Sequence, residues 1–510
     1  MNRMSRKSRV SLLAGSAILL ILTGCTVTPE PLTLDQQIAQ AAADRQAMFA
    51  SQEAVTAPLT LEQAMARALK YNLQHRVTLM EQALEDRILG TSGIDMLPKL
   101  ATRAGLRTRS NVLASVSESV ETGQVSLVPS TSSERTSASV DLQLGWNVLD
   151  FGLSYYGAKA QANKLLAAEE RRRRVVLNII EQVRAAWWEA ATAERLKPQV
   201  AAILDEARQA LEQSRQAEEQ RLLPPLDALR YQKALLEIVQ QLEALEADMA
   251  IARTQLASLM NLPPATPVQV AVPDEASLVV PKPGYTLADL EAIAMVERPE
   301  VREEAYIARN AAIETRMSLL KLLPGATLFA GLNYDSNDYL VNNDWADAGV
   351  QVSWNLLNVL HWSKIEEAGE AREKVAEIRR QALRMAVLAQ VNLAWHRHAR
   401  AERLYDRYAS LEAVETRIQN QIAAAAASDA QTKLERIRSA ASALLAKRAR
   451  DRAYAELQNA YGAINQAAGF DPVQQADSES NIETIANAIN AQAQLIQTGA
   501  GSRALQTPGS

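Results

Sequence analysis

The chain of 510 residues carries 54 Lys and Arg against 59 Asp and Glu, a formal charge of −5 that argues against a general nucleic-acid binder. Its single cysteine excludes an intrachain disulfide and a cysteine-rich metal site. Ala, Leu, Gln, Glu and Arg dominate and aromatics make up only 5%, the balance of a helix-rich protein long enough for several domains.

Arg3, Arg6, Lys7 and Arg9 precede an apolar run from Val10 to Leu22. The run is short for a membrane span and is arranged as a secretory signal. It ends in Leu22-Thr23-Gly24-Cys25, which resembles a bacterial lipobox. The resemblance implies that residues 1–24 are removed and that Cys25 is acylated. Thr26 stands where lipoproteins retained in the inner membrane usually carry Asp, so the resemblance points to the outer membrane. Cleavage would remove four basic residues and no acid, taking −5 to −9. No other stretch is long and apolar enough for a transmembrane helix.

Residues 25–58 form a polar lead-in. Thr60 is an N-cap candidate for an amphipathic helix that continues to about Met96, before Pro98 ends it. Leu100, Thr102, Ala104, Leu106 and Thr108 then alternate with Ala101, Arg103, Gly105, Arg107 and Arg109, the period of a strand. After a polar loop the chain returns through Ser137–Phe151. There Ala138, Val140, Leu142, Leu144 and Trp146 fall on one parity, with Ser139, Asp141, Gln143, Gly145 and Asn147 on the other. Roughly 10 such residues suffice for a tilted strand to cross a bilayer.

The same order recurs. Thr60 to Pro98 spans 38 residues, as does Thr286 to Pro324, and Gly105, Ser110 and Asn111 recur at an offset of 226 as Gly331, Ser336 and Asn337. Ala326, Leu328, Ala330, Leu332 and Tyr334 give the apolar parity of a third strand. Ala348, Val350, Val352, Trp354 and Leu356 give that of a fourth. Beyond the second hairpin the offset is 208: Trp146-Asn147 recurs as Trp354-Asn355, Trp187 as Trp395, and Ala193-Glu194-Arg195-Leu196 as Ala401-Glu402-Arg403-Leu404. This register marks an internal repeat of helix, hairpin, long helix and returning helix. The copies are expected over 59–262, with its hairpin at about 100–147, and 285–472, with its hairpin at about 326–356. A Pro-rich linker (263–284) joins them.

From about Leu153 to Leu223 only Pro198 interrupts the helical pattern, and a kink or break is expected there. Residues 473–510 are polar, and a short helix at most is expected before disorder. The fold class is mainly α with a small membrane β part.

Four strands cannot close a membrane barrel, and an open edge leaves backbone groups without partners in lipid. Identical chains must therefore pool their hairpins. The polar parity (Arg103, Arg107, Arg109, Asp141, Gln143, Asn333, Asp335, Gln351) would then line a wet lumen and the apolar parity would face lipid.

From about Leu59 to Pro472, including the duplication and the junction Trp146-Asn147-Val148-Leu149-Asp150-Phe151-Gly152, the chain resembles the TolC-type outer membrane factors, and its lipobox resembles their lipid-anchored branch. The resemblance implies a homotrimer. In it, tandem long-helix hairpins form a periplasmic α-barrel, and four strands per chain enter a shared twelve-stranded transmembrane β-barrel. It further implies a passive exit duct for small molecules, partnered by a periplasmic adaptor and an inner membrane transporter.

At the first helical tip, Arg221, Leu222, Leu223, Pro224, Leu226 and Asp227 resemble the family's adaptor-docking turn, with Arg221 and Pro224 replacing its Gly and Ser. An ordinary reversal in which Leu226 and Leu229 pack is the other reading. Glu435 aligns with the first of two carboxylates that ring the family's periplasmic aperture, and Arg438 replaces the second. Arg171 to Arg174 read as a charged helix face. His396 and His398, two apart on a helix, point to different faces and do not suit one metal. No nucleotide loop, nucleophile–base motif or cofactor signature occurs, so no enzyme activity and no cofactor is expected. Two alternatives stay open: export of polypeptides through the same fold, and a lipid-anchored periplasmic adaptor or scaffold.

Overall fold

The computed structural model describes residues 29–50, 52–220, 224–264, 266–275, 278–426, 433–473 and 480–502. The chain divides into two units, one up to Glu53 and one from Ala54. The first contains helix α1 (Leu34–Met48), opened by a capping box between Thr33 and Gln36 and burying none of its residues.

In the second unit the duplication is visible in matched capping. Helix α2 (Leu61–Tyr71) starts at a box formed by Thr60 and Gln63, and helix α6 (Leu287–Glu297) at one formed by Thr286 and Asp289. The single helix expected before each first strand is instead two. Asn72 ends α2 and caps α3 (Leu73–Ser92), its Oδ1 accepting from the Gln74 and His75 amides while its Nδ2 donates to the Leu259 carbonyl. In the second copy Pro299 occupies the first position of α7 (Pro299–Leu320), where a missing N–H costs nothing.

Strands β1 (Lys99–Thr108), β2 (Thr136–Asn147), β3 (Gly325–Asp335) and β4 (Asp344–Ser353) form one antiparallel sheet in the order β1-β2-β3-β4. At the strand ends the copies repeat one device. Trp146 donates its indole N–H to the Met96 carbonyl at 3.2 Å, and Trp354 donates to Leu322 at 2.9 Å, each acceptor lying two residues before the proline that opens a hairpin. Asn147 caps α4 (Val148–Glu219) and Asn355 caps the short α8 (Leu356–Val359).

Helix α4, 72 residues and about 110 Å long, runs through Pro198 without interruption. The lost hydrogen bond and ring clash cost about 3 kcal/mol. Burial on both sides, at Leu196 (0% exposed) and Val200 (2%), offsets that cost. From there Leu204, Ala207 and Leu211 pack against Leu235, Ile238, Leu242 and Leu245 of α5 (Pro225–Leu259), steps of three and four as in a coiled coil. In the second copy α9 (Trp362–Ala426) pairs with α10 (Lys433–Ala468).

The helices lie side by side in a fixed order. Toward the sheet it is α3-α4-α7-α9, and toward the opposite end α5-α4-α10-α9. Between these levels α2, α4, the end of α5 and the linker share a core of Met65, Leu69, Ile180, Val183, Trp187, Leu256 and Val270. Leu59 pairs with Val270 as a short parallel bridge, and its carbonyl accepts the buried Trp187 indole N–H at 3.0 Å. Trp395 packs against the corresponding second core.

Among the described residues the tail holds one helix, and that helix is docked. Helix α11 (Ile482–Gln497) buries Ile485, Ile489 and Ile496 and packs on α2 of the first copy. Its end reaches the second copy, where the Ser502 amide donates to the Tyr285 hydroxyl. A Cβ on Gly284 would stand 2.4 Å from the Gln497 carbonyl oxygen, inside contact distance of backbone. Gly284→Ala is therefore expected to undock α11, detectable as faster limited proteolysis after residue 480 with the long helices still protected.

Candidate functional site

Side chains alternate across each strand, so register decides which groups share a face. Arg103 lies opposite Asp141, which lies opposite Asn333, opposite Trp345. Above and below are the rows Ala101–Gln143–Gly331–Asp347 and Asn147–Thr327–Gln351, with Arg107 opposite Ser137. Arg109 lies one residue past β1, its amide bonded to the Arg135 carbonyl at 2.8 Å. The predicted polar residues Arg103, Arg107, Arg109, Asp141, Gln143, Asn333, Asp335 and Gln351 thus come to one side of one sheet. Asn333 donates to Asp347 at 2.8 Å. Arg103, Arg107 and Arg109 form no ion pair among the described residues.

That face also holds Lys99, Phe329 and Trp345, which the alternation of charges and amides did not single out. Phe329 lies opposite Gly349, and a Cβ there would meet its ring at 2.7 Å. A large ring facing a glycine across two strands is the signal that marks such a pair. The other face carries Leu100, Leu106, Val140, Leu142, Leu144, Leu332, Val350 and Val352, all at least 40% exposed. An apolar surface of this extent is left uncovered by the described residues.

Cys25, Arg221, Leu222 and Leu223 lie outside the described residues. Of the first tip, Pro224 caps α5 with Pro225 at its first position. Leu226 and Leu229 do not pack inward but are 59% and 53% exposed, while Ala228 is buried. Asp227 stands 4.0 Å from Arg230, one turn on. Glu435 and Arg438 lie near the start of α10 and pair with each other at 3.5 Å, both about half exposed. Nearby Arg436 bonds Glu206 of α4.

A charged cluster absent from the sequence reading ties the linker to three helices. Asp451 Oδ1 accepts from Arg195 at 3.2 Å and from Arg450 at 2.7 Å, and Arg450 also reaches Glu275 of the linker and stands 3.8 Å from Glu412 of α9. Burial alone would lower the Arg450 pKa, but Asp451 and Glu275 hold it above its ordinary value. The hydrogen bond from Arg450 in turn holds Glu275 below the usual carboxylate range. Arg171 and Arg174 both pair with Glu303 of α7, and Arg173 pairs with Glu170. Arg171 and Arg174 thus fasten α4 to α7. His398 is buried against the Pro281 carbonyl. Among the described residues no helix is long and apolar enough to cross a membrane, and no group of three or more His, Cys, Asp or Glu is placed to hold a metal ion.

No family model and no curated protein sequence matches the chain. Solved structures do. The Campylobacter jejuni CmeC outer membrane channel superposes with a TM-score of 0.64 at 12% identity, over 91% of this chain and 97% of that one. The open state of the Neisseria gonorrhoeae MtrE outer membrane channel gives 0.62 at 16% identity, over 80% and 88%. The outer membrane protein VceC from Vibrio cholerae gives 0.61 at 16% identity, over 80% and 96%. With its duplicated hairpins, four-stranded sheet and paired long helices, the chain has the TolC-type outer membrane factor fold.

Proposed function

We propose that this chain is one third of a passive outer membrane duct, lipid-anchored through Cys25. In this reading it carries small molecules expelled by an inner membrane transporter and handed over by a periplasmic adaptor. One observation carries the reading: among the described residues from Ala54 on, the chain is a layer with two open lateral edges at every level. They are β1 and β4 in the sheet, α3 and α9 beside it, and α5 and α9 below. Edge α3 exposes Leu73, Val77, Met80, Leu84 and Ile88 at helical spacing, and edge α9 exposes Val375, Ile378 and Met385, then Tyr408, Leu411, Val414 and Ile418. Two different edges that complement each other make a heterologous contact, which closes into a ring when the rotation allows. Bacterial barrels need at least about eight strands, so one chain is too few.

The sheet's polar face then lines the lumen and its apolar face meets lipid. The exposed Leu226 and Leu229 beside Asp227 suit the tip to an adaptor, and Glu435 with Arg438 border the periplasmic aperture. The repeats span 59–262 and 285–472. Detergent-extracted protein is expected to have the mass of a trimer and to produce discrete conductance steps in planar lipid films. Glu435→Ala is expected to change conductance and ion selectivity. A stable monomer, or films that stay electrically silent, would overturn the duct; an unchanged Glu435→Ala would remove the aperture assignment alone.

A further inference from the structure

The two hairpins end differently away from the helices. Between β3 and β4 lie eight residues, 336–343, but between β1 and β2 lie 27, 109–135. The longer connection is an ordered ribbon. Ser115 and Ser130 exchange both backbone hydrogen bonds at 2.9 Å, Ser126 donates to Ser117 at 2.8 Å, and Glu118 lies opposite Val125. Gly123, at φ +67°, turns the tip. The shorter loop fixes the ribbon's base. Asn337 accepts from the Glu134 amide and donates to the Ser132 carbonyl, and Ser336 caps the Ala138 amide at 2.8 Å.

The ribbon is amphipathic. Val116, Glu118, Val120, Val125 and Leu127 share one face, and Ser115, Ser117, Ser119, Gln124, Ser126 and Ser130 lie on the other. Val120 and Leu127 are 102% and 94% exposed in the single chain, and with half-exposed Val116 and Val125 they give this face an apolar surface that a second surface can cover. Charge decides between the two surfaces within reach. Between Arg109 and Arg135, which flank its base, residues 110–134 contain Glu118, Glu121 and Glu134 and no Lys or Arg. A lipid surface with anionic headgroups repels such a segment. The polar face of β1, by contrast, ends at this mouth in Arg107 and Arg109, which no described carboxylate pairs.

We propose that the ribbon is a strap over the outer mouth of the duct, its apolar face packed against the ribbons of the neighbouring copies and Glu121 and Glu134 carried over Arg107 and Arg109. The inference rests on the trimeric duct proposed above. Twelve strands about 4.8 Å apart and tilted about 40° enclose a radius on the order of 12 Å. The arm Ser115–Glu121, at about 3.3 Å per residue, extends about 20 Å and so reaches the axis.

Two measurements on the full chain test it. With Val120→Cys, a short bis-maleimide is expected to link neighbouring chains into SDS-resistant dimers, the largest product one thiol per chain allows, which the parent chain, retaining only Cys25, does not form. With Asp141→Cys on the lumen face, an impermeant polymer-linked maleimide added outside intact cells is expected to label slowly. Labelling should rise several-fold when residues 116–128 are replaced by Asn-Gly. A trimeric protein whose Val120→Cys chains stay separate, or whose labelling ignores the deletion, overturns the strap and leaves the duct standing. A chain that forms no trimer overturns the duct reading and the strap with it.

Discussion

Leu142→Arg is expected to abolish outer membrane insertion, whereas Gln143→Arg, one residue along the same strand, leaves assembly intact. Leu142 lies between Thr102 and Leu332 on the apolar face; Gln143 lies between Ala101 and Gly331 on the polar one. An arginine held in lipid near the bilayer midplane costs about 2–4 kcal/mol, and a ring of identical chains repeats that cost at each copy. In the proposed lumen the same guanidinium joins Arg103, Arg107 and Arg109 in water, and the expected result is a shift of ion selectivity toward anions without a folding penalty. Outer membrane fractionation with heat-modifiability on gels separates the two variants. If both insert equally well, the sheet does not present one face to lipid.

Asp451→Ala carries the second large expected effect, a loss of about 3–5 kcal/mol. The Asp451 side chain is 1% exposed and one of its oxygens holds both Arg195 and Arg450, whose own side chains are 14% and 8% exposed. Removing the carboxylate leaves Arg195 beside Arg450 with the Pro273 carbonyl as its remaining partner, while Arg450 keeps Glu275. Part of the loss should return in Arg450→Met/Asp451→Leu, because replacing a buried pair with apolar groups removes the desolvation penalty along with the attraction. Thermal unfolding of detergent-purified variants reads both effects. A single variant as stable as the parent would show that the cluster is solvated in the assembled protein.

Much of this architecture was legible in the chain because its signals are local. The period of two in Leu100–Thr108 and Ala138–Trp146 marks strands whatever surrounds them, and the recurrence of Trp146-Asn147 as Trp354-Asn355 gives the duplication. What escaped depended on distant partners. Asn72 sits in an unbroken helical pattern, and its amide meets the Leu259 carbonyl 187 residues away. Phe329 breaks the polar parity of β3, and only its glycine partner across the sheet explains it. Asp451 and Arg195, 256 positions apart, have no common sequence signature.

By itself the sequence determined the elements, their duplication and the two-faced character of the strands, since these follow from side-chain spacing along one backbone. The tertiary structure alone decided that Pro198 stays inside a continuous helix and that α11 closes one copy onto the other. It also decided that buried charges pin the linker and that, among the described residues from Ala54 on, opposite edges of the layer remain open. Each of these depends on which surfaces meet, a property of pairs of segments that no single segment carries.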